Sequence, residues 1–261
     1  MVECVAHMTA LHALLLGIVE GITEFLPISS TGHLILVSDV LQIPQTEFTK
    51  TFDVAIQFGA ILSVVALYWK RLLLSKDTLL KVLAAFVPTG IIGLALHNVV
   101  KNVFLESTSL VLWSLLIGGI VLIVFEQLHT EKREALSIEK LTYPQAMLIG
   151  VFQAIAIIPG VSRAAATIVG GLLLGMQRKA IVEFSFLLAI PTMAAATGLD
   201  LLKTGVAFTG QEWLMLGIGF VTAFVIALAA VKWLLRFIES HTFTGFGVYR
   251  IAIAVLGWFL L

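Results

Sequence analysis

Apolar runs long enough to cross a bilayer, joined by gaps too short to fold on their own, constrain this chain more than any other feature. Read by hydropathy and helical period, they fall at about 10–26, 34–42, 52–69, 79–100, 109–128, 145–158, 165–175, 181–202, 213–238 and 246–261. A helix needs about 20 apolar residues to span hydrocarbon, and several of these runs reach that length. The longest polar gap, His129 to Gln145, is too short for a soluble domain. Only 12% of the residues are charged, about half the fraction usual in a soluble domain. The roughly 10-residue alternating segments of a membrane β-barrel are absent. The expectation is an all-α integral membrane protein whose 261 residues form a single membrane domain.

Two pairs of runs are too short and too broken to be full crossings. They flank Pro27–His33 and Pro159–Arg163. Irregular backbone survives at membrane depth only where protein or a wet cavity satisfies it, so both pairs read as re-entrant helix–loop–helix hairpins, leaving six crossing helices. On that count Lys70, Arg71, Lys76, Lys81, Lys132, Arg133, Lys140, Arg178, Lys179, Lys232, Arg236 and Arg250 share one side, against Lys50, Lys101 and Lys203 on the other. The bias places the termini away from the cytoplasm. No cleavable leader is expected, since the first basic residue is Lys50.

A weak internal repeat agrees with this layout. GIVEGITEFLPISST (Gly17–Thr31) lies over GVFQAIAIIPGVSRA (Gly150–Ala164) without gaps, pairing Glu20 with Gln153 and Ser29 with Ser162. FDVAIQFG (Phe52–Gly59) lies over FSFLLAIP (Phe184–Pro191). Halves of about 1–128 and 141–261 would each hold one hairpin and three spans. An odd number of spans inverts the second copy, so the two hairpins enter from opposite faces and meet.

The chemistry-bearing residues sit in those hairpins. Gly17–His33 carries two carboxylates, four hydroxyls and an imidazole inside an apolar region, where each charge costs several kcal/mol, roughly 2.5–3.5 on insertion scales. Glu20 and Glu24 share a helical face. They suit divalent-metal ligation, acid–base work or proton coupling, and carboxylate oxygens select Mg²⁺ or Ca²⁺. In PISSTGH (Pro27–His33) the hydroxyls of Ser29, Ser30 and Thr31 can cap the next helix. His33 follows Ser30 by three and is its candidate base, since a serine needs one to become a nucleophile. His33 could itself attack phosphorus or protonate a leaving group, and the residues do not choose among these.

PGVSRAAAT (Pro159–Thr167) supplies positive charge: Arg163 reads as the only Arg or Lys well inside an apolar run. Its planar donors suit a phosphate, with Gly160, Ser162 and Thr167 beside it and the following helix N-terminus adding N–H groups. A cation facing a carboxylate pair makes a place for pyrophosphate. The lone Cys4 excludes an internal disulfide and a cysteine metal cluster, and zero net charge gives no support for nucleic-acid binding.

Taken together, EGITEFLPISSTGH (Glu20–His33), PGVSRAAAT, FSFLLAIP and the C-terminal YRI (Tyr249–Ile251) resemble the bacterial undecaprenyl-pyrophosphate phosphatase, or bacitracin-resistance, family over almost the whole chain. The resemblance implies hydrolysis of a polyprenyl pyrophosphate lipid to its monophosphate, recycling a carrier used in cell-wall synthesis. It also implies a divalent cation, and a bacterial inner-membrane location with the site open to the periplasmic side. Glu20 and Glu24 match the family's acidic motif, assigned to metal and proton handling. Ser30 and His33 match the nucleophile and its base or acid, and Arg163 matches the phosphate-binding arginine. One departure is that Ala164 and Ala165 follow Arg163 where the family usually has serine and a small residue, so that serine's role is dispensable or falls to Ser162 or Thr167. The partners expected are the lipid substrate and bilayer lipid, with a homodimer compatible and no nucleic acid. A secondary transporter or flippase of an anionic lipid is the rival reading, because inverted repeats of broken helices also build transport sites.

Overall fold

Capping residues and prolines fix where the helices begin and break. The computed structural model describes residues 8–99, 107–130, 135–204 and 208–260; Cys4 and, from the charge count, Lys101, Lys132 and Arg133 lie outside the described residues. Within them the helices are α1 (Ala10–Thr23), α2 (Ser30–Val40), α3 (Glu47–Leu74), α4 (Lys76–Val99), α5 (Thr108–Leu128), α6 (Tyr143–Ile155), α7 (Arg163–Leu173), α8 (Arg178–Thr204), α9 (Gly210–Phe237) and α10 (Thr244–Leu260). Reciprocal caps open α1 (Thr9 with His12), α6 (Thr142 with Gln145) and α9 (Thr209 with Glu212), satisfying first-turn N–H groups that have no intrahelical acceptor.

The protein is an all-α integral membrane protein. Among the described residues α3, α4, α5, α8 and α9 are long and apolar enough to cross a bilayer. α10, also expected to cross, has 17 residues, about 25 Å of helix at 1.5 Å per residue. The four helices of the expected hairpins are shorter, at 14, 11, 13 and 11 residues.

Polar contacts show which helix ends share a face. Lys81, near the start of α4, donates to the carbonyls of Ile138 (3.2 Å) and Glu139 (2.8 Å). Tyr143 at the start of α6 donates to Asp77. Arg178, opening α8, pairs with Glu126 at the end of α5, whose carboxylate also accepts the Phe243 N–H ahead of α10. Lys179 pairs with Glu239, just past α9. The α1–α2 hairpin lies toward the other face, where Thr108 at the start of α5 donates to Asp39 at the end of α2 (2.9 Å). The α1–α2 pair therefore returns toward the start of α5, and the α6–α7 pair leads to α8 where it meets the end of α5.

Two positions from the charge count are corrected. Arg250 is wholly buried on α10, and Lys81 is only 4% exposed; neither is an open rim charge, and Arg163 is not the only cation held inside. Arg250 fits because α5 carries glycine opposite it: a Cβ at Gly118 would lie 2.0 Å from its Nη2.

Candidate active site

Each hairpin turns at a serine with left-handed backbone. Ser29 has φ 73° and Ser162 φ 77°, a region costly for a residue with a Cβ and found where surrounding structure enforces it. Each serine caps the helix it precedes: Ser29 Oγ accepts from Gly32 N–H (3.3 Å), and Ser162 Oγ from Ala165 N–H (3.2 Å). The earlier N–H groups of α2 and α7 have no intrahelical acceptor. Two helix N-termini thus face a common centre, an arrangement suited to an anion.

That centre is a cavity of about 160 Å³. The first hairpin contributes Glu24, Ser29, Ser30 and Thr31, and the second contributes Ala156 to Gly160, Ser162 and Arg163. Gln57, Thr89, Gln153, Thr192 and Met193 complete the wall from α3, α4, α6 and α8. Gly160 has φ 91°, and a Cβ there would lie 2.7 Å from both Ser114 Cβ and the Val111 carbonyl oxygen; only glycine fits.

Glu24 is the hub. Arg163 Nη2 donates to its Oε1 at 3.1 Å, and Ser30 Oγ donates to its Oε2. Arg163 is steadied from α8, where Nη1 donates to the Ser185 carbonyl (3.1 Å). Phe25 packs edge-on against Phe186 (5.2 Å between centroids), seating the first hairpin on the same stretch of α8. Both carboxylate oxygens of Glu24 are therefore engaged, one by a permanent cation and one by a hydroxyl.

Glu20 is different. It is wholly buried against Glu24, the two carboxyls near enough to share a hydrogen bond when one holds a proton, with Asp53 and Arg163 in its electrostatic neighbourhood, and neither oxygen has any other hydrogen-bond partner. A buried carboxylate without partners calls for a proton or a cation. Among the described residues no three His, Cys, Asp or Glu side chains gather as a complete cation cage would require. The donor set fits a divalent ion that takes its other ligands from substrate phosphate and water, as Mg²⁺ commonly does.

Two expected contacts are not formed. His33 does not reach Ser30. Its Nδ1 meets the Ser29 carbonyl (2.7 Å) and its Nε2 the Tyr249 hydroxyl (2.9 Å), with the two rings stacked 5.5 Å apart. The reason is local: Ser30 opens α2 with its hydroxyl turned back toward the end of α1, while His33, nearly a turn on, points toward α10. Thr167 lies behind the cavity rather than on its wall, with its hydroxyl bonded to the Arg163 and Ala164 carbonyls and to Ser185 Oγ (2.6 Å). Ala164, where the family usually has serine, is 1% exposed.

Arg250 ties the site together. Its five donors go to the carbonyls of Ser114, Leu115, Pro27, Gly160 and Val161 at 2.7–3.3 Å, using the full guanidinium inventory. One side chain thereby holds both hairpin loops against α5. The YRI motif marked this position, but nothing in it distinguishes a buried clamp from a rim arginine.

Comparison with known proteins covers nearly the whole chain. The family model described as bacitracin resistance protein BacA matches residues 13–256. An undecaprenyl-diphosphatase of Aquifex aeolicus is 52% identical over 250 residues, 95% of this chain and 97% of that protein. One from Sulfurihydrogenibium is also 52% identical over 250 residues, 95% and 98% of the two chains. One from Wolinella succinogenes is 51% identical over 255 residues, covering 97% and 99%.

Proposed function

We propose a function from one premise: this chain belongs to the bacitracin resistance protein BacA family. It is a membrane phosphatase that hydrolyses undecaprenyl pyrophosphate to undecaprenyl phosphate and phosphate. The observation that carries the residue assignment is Glu24 accepting the Ser30 hydroxyl while pairing with Arg163.

The terminal phosphate sits between Arg163 and the first-turn N–H groups of α2 and α7, which stabilise charge spreading over its oxygens. Ser30 Oγ attacks that phosphorus as the bridging P–O bond breaks, and undecaprenyl phosphate leaves. The serine proton passes to Glu24, the acceptor already in place. Glu24 gives that proton to the departing undecaprenyl phosphate, then takes one from the water that attacks the phosphoserine and returns it to Ser30 Oγ as the serine P–O bond breaks and phosphate leaves. Glu20, with Glu24 beside it, would hold a divalent cation, which would supply neutralisation of phosphate charge. His33 is a positioning residue here: bonded to Ser29 and Tyr249, it fixes the turn from which Ser30 projects.

The bias of basic residues toward one face supports a bacterial inner membrane with that face cytoplasmic. The site then takes its lipid from the periplasmic side. The halves at about 1–128 and 141–261 are an inverted pair, a reading supported by α1 packing on α9 as α6 packs on α4. The test is phosphate release from undecaprenyl pyrophosphate by purified protein in detergent with Mg²⁺ or Ca²⁺. Labelled phosphate trapped on Ser30 supports the nucleophile; turnover with an unlabelled protein and an active Ser30→Ala variant overturns it. A transporter has no reason to release phosphate in detergent, so absence of turnover removes the phosphatase reading itself.

A further inference from the structure

α4 and α8 are joined at one level and open above it. Both start at the basic face, where Lys81 and the Leu136–Met176 bridge bind the same 136–139 segment. Halfway along, the Gln153 amide nitrogen donates to Thr89 of α4 (3.0 Å) and Thr192 of α8 (3.1 Å). Each threonine donates onward to a backbone carbonyl, Gly150 and Leu188 respectively, which fixes the amide and leaves Gln153 Oε1 buried without a partner on the cavity wall. A proline precedes each threonine, Pro88 and Pro191, and removes a ladder hydrogen bond at this level.

One turn further on, the same helix faces carry Gly93 and Ala196. A Cβ at Gly93 would meet nothing within 4 Å, and Ala194, Ala195 and Ala196 are exposed. α6, which would otherwise cover the gap, has ended at Ile155. The corresponding helices of the other half, α3 and α9, touch through glycine: a Cβ at Gly59 would lie 2.7 Å from the Phe220 carbonyl oxygen, and one at Gly219 2.4 Å from the Phe52 ring. Thr89, Thr192 and Met193, within one turn of this window on the same two helices, line the cavity, as do Ile157 and Ile158.

We infer that the window between the outer halves of α4 and α8 seats the polyprenyl chain of the substrate. The inference rests on the proposed phosphatase function and deepens it. The occupant follows from continuity: the cavity has a charged pole at Glu24 and Arg163 and an apolar pole at the window, matching an amphiphile with a pyrophosphate head. Small residues admit a methyl-branched chain to the helix backbones, and Met193 adapts to it. Gln153 Oε1, between the poles, is positioned to accept from a protonated phosphate oxygen or a head-group water.

The experiment compares turnover of undecaprenyl pyrophosphate with that of dimethylallyl pyrophosphate, whose five-carbon chain ends inside the cavity, for Gly93→Trp and Ala196→Trp. Val225→Trp on the exposed face of α9 is the control. If the short substrate is too slow to follow, its inhibition constant against the long one replaces its rate. The window variants should lower kcat/KM for the long substrate at least about tenfold while the short one changes less than about twofold, and the control should change neither. Equal effects on both substrates, or no effect, overturn the inference. If a tryptophan variant loses both activities, Ala196→Leu is judged by the same ratio. Wild-type protein inactive on both substrates would instead sink the phosphatase reading.

Discussion

The two hairpin loops share a backbone plan and differ in chemistry. Each ends a short helix, turns through a serine in the left-handed region and opens an 11-residue helix on that serine's cap. Yet the first loop is acidic and carries a hydroxyl held by a carboxylate, Ser30 on Glu24, and the second is cationic and apolar, with Arg163 beside Ile157 and Ile158. At the positions paired by the repeat, buried Glu20 faces Gln153, one an unpartnered carboxylate and the other an amide bracketed by two threonines. On the proposed mechanism the lesson is a division of labour: a similar turn supplies two helix ends at the cavity, and sequence divergence gives one the attacking hydroxyl and the other the cation.

Substitutions can break this comparison, beginning with the largest effect. Ser30→Ala should lower kcat at least about 10³-fold, as loss of a nucleophile does, whereas Ser162→Ala, removing only a cap worth about 1 kcal/mol, should lower it less than about tenfold. Equal losses, measured by phosphate release, would make the loops equivalent. Arg163→Ala should cost about 10²–10³-fold in kcat, and Arg163→Lys should not restore it, because one ammonium cannot serve both Glu24 and the Ser185 carbonyl as the guanidinium fork does.

Arg250→Met tests what the loops share rather than what divides them. It strands five buried carbonyls and should lower stability by about 3–5 kcal/mol, read as a fall in the thermal midpoint in detergent. Tyr249→Phe should cost about 1 kcal/mol by losing the hydroxyl on His33 while keeping the ring stack, with phosphate release reduced only severalfold. Lys179→Ala, breaking an exposed pair with Glu239, should leave both rate and midpoint within error.

Much of the fold was legible because bilayer chemistry is simple to read. The apolar runs anticipate the ten helices to within a few residues, and the polar, Pro- and Gly-containing interruptions at Pro27–His33 and Pro159–Arg163 mark where short helices turn. Capping was read correctly for the hydroxyl run at Ser29, while the matching cap at Ser162 was not read. The partner choices within the site were less accessible. His33 three residues from Ser30 suggested a base, but direction along a helix start, not spacing, decides contact, and Glu24 six residues back is what the hydroxyl reaches. Thr89, Thr192 and Ser185 looked like ordinary helix residues, since their significance arises from α4, α6, α7 and α8 meeting in space. Arg250 was counted as a rim charge because its burial depends on Gly118 of another helix.

Arg250 has a consequence for biosynthesis. It stands 11 residues before Leu261, and the carbonyls it gathers were made far earlier: Pro27, Ser114, Leu115, Gly160 and Val161. Until α10 has been made and inserted, neither loop has its anchor. A polypeptide made only as far as α9 would sit in the membrane with the side chains of both loops present but unset, and the site would be completed only when α10 docks.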